Sequence, residues 1–216
     1  MPQSIRSARA GTRRLTSRDV PEALALYRAA GRDGAWADED SLARACTAGQ
    51  LYGVFSGGLH LCGGVYRAPL FPALRAAVDK TLLVPRGCRL LLPPAGTSVR
   101  GAESFLELLL ARAAGERPVW LPVPVRTGTP LLRACFGAGF TLRAIRPLHR
   151  LRPHYFFESC GGEVKMLPEY SIMIPVSDTL TLSRLLENGM RGVGLRAARG
   201  GPAVCLAEDE TKAGIG

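Results

Sequence analysis

Residues 89–111 read RLLLPPAGTSVRGAESFLELLLA, and residues 118–140 read PVWLPVPVRTGTPLLRACFGAGF. The first stretch is an apolar run closed by Pro93-Pro94, a turn carrying Gly96 and Gly101, and a strongly apolar segment over 103–114. Proline removes a ladder N–H and glycine frees a turn from its Cβ, so the order reads as strand, loop, helix. The second stretch repeats that order. A buried-looking strand over 118–125 leads to a helix that Thr129-Pro130 opens and the glycines from Gly137 to Gly139 close, and 140–146 follows as a strand. Strands alternating with helices at this spacing imply an α/β (α+β) fold with a mixed sheet.

Upstream, 12–16 reads as a short strand. Ser17 to Glu22 supply capping residues and an early proline for a helix over 23–30, whose apolar stripe is Leu24, Leu26 and Tyr27. A second amphipathic helix spans 38–48 with Asp38 at its head. The runs 51–55 and 59–67 form a hairpin about Ser56-Gly57-Gly58, where glycine meets the positive φ of a tight turn. Residues 68–77 hold prolines without a period, and 81–84 is a short apolar run closed by Pro85.

Downstream, His154-Tyr155-Phe156-Phe157 is an aromatic run, 170–176 reads as a strand and 178–188 as a capped helix. Glycines at 189, 192, 194, 200 and 201, followed by Glu208-Asp209-Glu210, read as a loose, disordered end. The expected organisation is a disordered basic lead-in over 1–11, one domain over 12–150, and a poorly defined C-terminal extension or partial second domain over 151–216. An added strand, a dimerisation arm and a substrate lid are all compatible with that extension.

The 216 residues, 47 % of them hydrophobic, suffice for a sizeable core. No apolar run approaches the roughly 20 residues of a membrane-spanning helix. The basic N-terminus lacks the apolar centre of a secretory signal, which places the protein in the cytosol, cytoplasmic rather than secreted. Six widely spaced cysteines without a C-x-x-C pair, and three histidines, argue against a metal site and a disulfide framework. Through residue 150 there are 21 Arg and Lys against 10 Asp and Glu, so the net charge of +10 belongs to the first part and calls for an anionic partner. Nucleic acid is the weaker candidate, because the arginines are dispersed and no DNA- or RNA-binding motif appears. A phosphorylated cofactor fits, and a merely solvated surface is the plain alternative.

The helix that opens after Pro94 presents unpaired N–H groups and a positive dipole end, which favour a pyrophosphate, and a glycine turn lets phosphate approach the backbone. Gly96 and Gly101 shaping a turn and nothing more is the competing reading. In order and motif, 12–150 resembles the GNAT superfamily of N-acetyltransferases, with a largely antiparallel mixed sheet flanked by helices. In that family a strand ends before a loop of the form Q/R-x-x-G-x-G/A, and a later helix ends in Gly-Phe. Pro94 lies at the family's common proline, Thr97 on its Gln or Arg, Arg100 on its first Gly and Ala102 on its final Gly or Ala. Gly139-Phe140 matches the terminal pair, whereas Gly128 replaces a common Asn and Cys135 a common Tyr general acid. This degenerate loop and the Leu-Pro-Val-Pro strand look most like the divergent half-domains of tandem acetyltransferases.

The resemblance implies an acetyl-CoA-dependent N-acyltransferase, in which a small-molecule or peptide amine attacks the thioester directly. Leu92 would meet the pantetheine. Gly96, Ser98, Val99, Arg100, Gly101 and Ala102 would line the pyrophosphate loop, mainly through backbone N–H groups. No catalytic residue follows from the sequence: His60 as a base, Cys135 as an acid, Glu103 at the helix start and the hydroxyls of Tyr27, Tyr52 and Tyr66 all remain candidates. A catalytically silent GNAT-like module that binds a ligand or partner protein is the alternative, and a homodimer is compatible with either.

Overall fold

The computed structural model of the chain describes residues 11–29, 38–66, 86–91, 101–112, 119–125, 129–147, 152–159 and 172–208, with residues 66 and 86–91 described by their backbone. In chain order the elements are β1 (Gly11–Arg14), a 3-10 turn (Ser17–Asp19), α1 (Val20–Ala29), α2 (Glu39–Thr47), β2 (Tyr52–Phe55), β3 (Leu59–Tyr66) and β4 (Arg86–Leu91). They continue with α3 (Ala102–Arg112), β5 (Val119–Pro124), α4 (Thr129–Gly137), β6 (Thr141–Pro147), β7 (Pro153–Ser159), β8 (Ile172–Pro175), α5 (Thr179–Glu187), β9 (Met190–Ala198) and β10 (Gly201–Glu208). The strands join one sheet in the order β1-β2-β3-β4-β5-β7-β6-β9-β10-β8. Among the described residues every registered pair is antiparallel except β4 with β5. The mixed, largely antiparallel α/β sheet expected from the sequence is therefore the one found.

Two apolar clusters sit on this sheet, and the period of two along each strand divides side chains between them. On β3, Leu61 enters the larger cluster and its neighbour Cys62 the smaller. The larger cluster joins Phe105, Leu106 and Leu109 of α3, Leu131, Leu132 and Cys135 of α4, and Leu182 and Leu186 of α5 to Val119, Leu121 and Val123 of β5. Fully burying a side chain of this size contributes roughly 1.5–3 kcal/mol, so α3 is held by its apolar face rather than by helix propensity. The smaller cluster packs α1 and α2, through Ala23, Leu26, Tyr27, Leu42 and Cys46, against Leu15, Leu51 and Cys62.

Helix ends follow the sequence closely. At the end of α4, Phe140 N–H bonds the Cys135 carbonyl at 3.0 Å and Gly139 N–H bonds that of Phe136 at 3.0 Å, with Gly139 at φ 83°. This is a Schellman closure, and its left-handed residue would cost a side-chain-bearing residue about 1–2 kcal/mol. β7, the aromatic run that had no element assigned to it, is a central strand between β5 and β6. The stretch 81–84 lies outside the described residues.

The C-terminal extension is more ordered than its glycines suggest. Gly189 (φ 93°) ends α5, and Arg199, Gly200 and Gly201 lie at the β9–β10 hairpin turn. Gly192 lies opposite Leu142, the registered contact between β9 and β6, and a Cβ there would come within 2.7 Å of the Leu142 Cβ. The unit α5-β9-β10 also parallels α2-β2-β3. Asp38 and Asp178 each cap a helix by accepting from the N–H three residues on, Leu42 and Leu182 are fully buried, and Gly49 and Gly189 each close the helix with positive φ. Cys62 lies opposite Gly53 across one hairpin and Cys205 opposite Gly194 across the other.

One ion pair, between the exposed Arg13 and the buried Asp19, anchors the N-terminal entry. Arg13 donates to both carboxylate oxygens of Asp19, at 2.8 and 2.6 Å, while the Thr16 N–H and hydroxyl donate to Asp19 Oδ2 at 2.7 and 2.9 Å. The hydrogen bonds from Arg13, aided by those from Thr16 and opposed by burial, hold the Asp19 carboxyl far below its ordinary range. A lowered native value means the stabilisation is complete above the unfolded carboxylate pKa of about 4 and is lost as pH falls below it. Asp19→Asn is expected to lower unfolding free energy by about 2 kcal/mol near neutrality, and urea denaturation should show the gap between the two proteins closing toward about pH 3.

Candidate functional site

β4 and β5 lie side by side and parallel, yet their ladder registers only Arg86 with Val119 and Gly87 with Trp120, although each strand runs on for four more residues. The cause is in the β5 sequence. Val125 N–H donates to the Pro153 carbonyl on the β7 side at 3.1 Å, and backbone groups alternate sides along a strand, so residues 121, 123 and 125 face β7. Residues 120, 122 and 124 therefore face β4. Two of these are proline and have no N–H to give, so the ladder ends at Trp120 and the carbonyls of Pro122 and Pro124 are left facing the gap. Beyond Trp120 the two strands run on with no registered rung between them.

α3 is the next described element after β4 in the chain. Gly101, at φ 79°, accepts the Phe105 N–H through its carbonyl at 3.0 Å, and Ala102 is buried in the larger core. The N–H groups of the first helical turn have no intrahelical acceptor and carry the positive end of the helix dipole. Gly101 and Ala102 thus occupy the helix start that the sequence reading gave them. Leu92, Gly96, Ser98, Val99 and Arg100, the other residues of the expected pyrophosphate loop, lie outside the described residues, as do Thr97 and Gly128. Glu103 projects toward α4, and a Cβ at Gly137 would come within 2.5 Å of its carboxylate, so the glycine makes room for it.

The residues considered as acids and bases are placed less favourably. His60 is tied to the hairpin turn, its Nε2 donating to the Ser56 carbonyl at 2.6 Å. Tyr27 is buried in the smaller core, and Tyr52 lies under the Arg112 guanidinium, 5.4 Å from the ring centre. Cys135 is fully buried in the larger core between α4 and the sheet, a packing position. Side-chain geometry for Tyr66 is outside the description. Among the described residues no cluster of His, Cys, Asp or Glu suits a metal ion, and no helix is long and apolar enough to cross a membrane.

Sequence reading missed three groups that register brings forward. Trp120 and Glu158 face one another across β5 and β7 in a pair not bonded through the backbone, the kind in which side chains approach most closely. Glu158 is 4 % exposed and accepts from Arg143 Nε at 2.9 Å, with Arg143 reaching it from β6. Trp120 is fully buried, and among the described residues its Nε1 has no acceptor. On the opposite face, the Tyr155 hydroxyl donates to the Val176 carbonyl at 3.3 Å, and burial pushes its pKa up to about 12, so it stays protonated and ties β7 to the turn after β8.

No family model and no curated protein matches the sequence. A GNAT-family acetyltransferase from Streptococcus agalactiae 2603 superposes with a TM-score of 0.52 at 10 % identity, over 74 % of this chain and 100 % of that one. The aminoglycoside acetyltransferase AAC(6')-Ib, solved with coenzyme A and kanamycin, gives a TM-score of 0.47 at 15 % identity over 70 % of this chain and 95 % of its own. The first likeness establishes the fold: the chain has the architecture of a GNAT-family acetyltransferase.

Cys46, Cys62, Cys135 and Cys205 are buried and form no disulfide, and burial raises the pKa of Cys46, Cys62 and Cys205. Alkylation at neutral pH followed by peptide mass spectrometry is expected to leave all four unmodified in the folded protein and to label them in urea. Labelling of native Cys135 would instead place its thiol in an accessible cleft.

Proposed function

We propose that the protein is an acetyl-CoA-dependent N-acyltransferase, transferring an acetyl group to an amine of a small molecule or peptide. The observation that carries this reading is the slot: a parallel pair whose ladder stops after two rungs, with a glycine-headed helix following the same strand. A pantetheine arm is an extended chain with two amides, and two prolines on the β4-facing side of β5 leave carbonyl acceptors and no competing donors along the slot. The first turn of α3, from Gly101 and Ala102, supplies the N–H groups and dipole for a pyrophosphate. The basic balance of the first 150 residues suits a polyanionic cofactor.

In this reading the slot and helix start bind and orient the thioester, so that holding amine and acyl carbon together supplies much of the rate. The alternative is a silent binding module with the same slot. Its supporting observation is that Cys135, at the position of the family's usual tyrosine acid, lies in packed core.

Two measurements test the proposal. Acetyl-CoA at about 100 times a micromolar Kd is expected to stabilise the fold by about 3 kcal/mol in thermal or urea unfolding. Stabilisation without turnover of any amine in a broad panel selects the silent module, and no stabilisation ends both readings. The double variant Pro122→Val/Pro124→Val restores two N–H donors toward β4. It should keep or raise the melting temperature while weakening acetyl-CoA binding at least about tenfold, since an extended ladder closes the slot.

A further inference from the structure

Among the described residues, the large apolar side chains left exposed lie close together in the chain: Ile172 (44 %) and Met173 (51 %) on β8, and Leu180 (64 %) on the first turn of α5. β8 is also an end strand of the sheet. Val176 N–H donates to the Pro202 carbonyl of β10 at 3.0 Å, and backbone groups alternate sides along a strand. Residues 172 and 174 therefore bond toward β10, while Met173 and Pro175 turn their backbone groups away from it. Along β8 this outer edge offers one N–H, that of Met173, because Pro175 has none. The opposite end strand is built differently. β1 carries Arg13 and Arg14, charges of the kind that keep sheet edges apart, whereas β8 reads Ile-Met-Ile-Pro and carries none.

We propose that the outer edge of β8 docks a second copy of this chain, the two β8 strands running antiparallel about a twofold axis at Met173. In that register each Met173 N–H donates to the Met173 carbonyl of the other copy. The donor on each edge is thus used, and Pro175 falls outside the bonded pair. The two Met173 side chains lie opposite one another on one face, so a surface with no charge of its own meets its like. Charge along the chain favours a second copy meeting it here. Residues 1–150 hold 21 Arg and Lys against 10 Asp and Glu, but 151–216 hold 7 against 8. Two copies that met through the first part would bring like charges together, and at β8, in the near-neutral part, they do not.

Sedimentation velocity of the full chain, from micromolar to millimolar protein, is expected to show a reversible monomer–dimer equilibrium, weak because the edge is short. Met173 is half exposed, so Met173→Lys and Met173→Glu should each fold with an unchanged melting temperature in dilute solution. Each should associate at least about tenfold more weakly than the parent, since like charges would face one another across the axis. An equimolar mixture of the two variants should recover a dimer of mixed composition. Hydrogen exchange read by mass spectrometry needs no variant: a peptide covering residues 172–175 should gain protection as the parent protein is concentrated. A monomer at every concentration overturns the proposal, and so does a dimer that the lysine and glutamate substitutions leave intact. Protection at Met173 that does not change with concentration overturns it as well, because its N–H would then already be bonded within one chain.

Discussion

The absence of two N–H groups governs this structure. An unpaired backbone group between strands forfeits a hydrogen bond and its desolvation. β5 cannot complete the ladder on its β4 side, since Pro122 and Pro124 both fall on that side, while residues 121, 123 and 125 keep its pairing with β7 intact. The strand is secure along one edge and open along the other. One residue of register separates this arrangement from its reverse, in which prolines would have broken the β5–β7 ladder and left no slot.

The same alternation sets the chemistry of the two faces. The odd residues of β5 enter the larger core with α3 and α4, and its even residues begin with Trp120, beside Glu158 on β7. The larger core with α3, α4 and α5 therefore lies on one face, while Glu158, Arg143 and the indole lie on the other, the face that also carries Cys62 and the smaller core with α1 and α2. Such a cluster would be a poor way to stabilise a sheet, because burying a charged pair returns little net energy.

Much of the fold was legible, and the reasons are local. Caps and left-handed glycines mark helix ends wherever they occur, so Asp38, Asp178, Gly139 and the proline at Thr129-Pro130 placed three helices with small boundary errors. β7 was not legible, because a strand buried on both faces shows no alternation, and His154 to Phe157 looks like any apolar run. The glycines after residue 188 were misjudged for a related reason: one closes α5, two lie at a hairpin turn and Gly192 admits Leu142, all roles that need the partner to be known. The site divides in the same way. Gly101 in the turn before the helix could be read from composition, whereas Glu158 and Arg143 lie 38 and 23 residues from Trp120 in sequence and meet it only through strand order.

The parallel between the two ends of the chain sets the β4–β5 pair, near the middle of the sheet, apart from the rest. β3 and β10 follow equivalent hairpins, each with a cysteine opposite glycine, and each takes a further antiparallel strand on its outer side: Leu91 of β4 opposite Cys62, and Met173 of β8 opposite Cys205. β8 therefore holds the position in the second unit that β4 holds in the first. What β4 has and β8 lacks, among the described residues, is a parallel neighbour bearing prolines at alternate positions. The repeated unit is a scaffold that extends the sheet. The proposed site rests on the segment from β4 through β5, where prolines on one side of a strand stop a parallel ladder after two rungs.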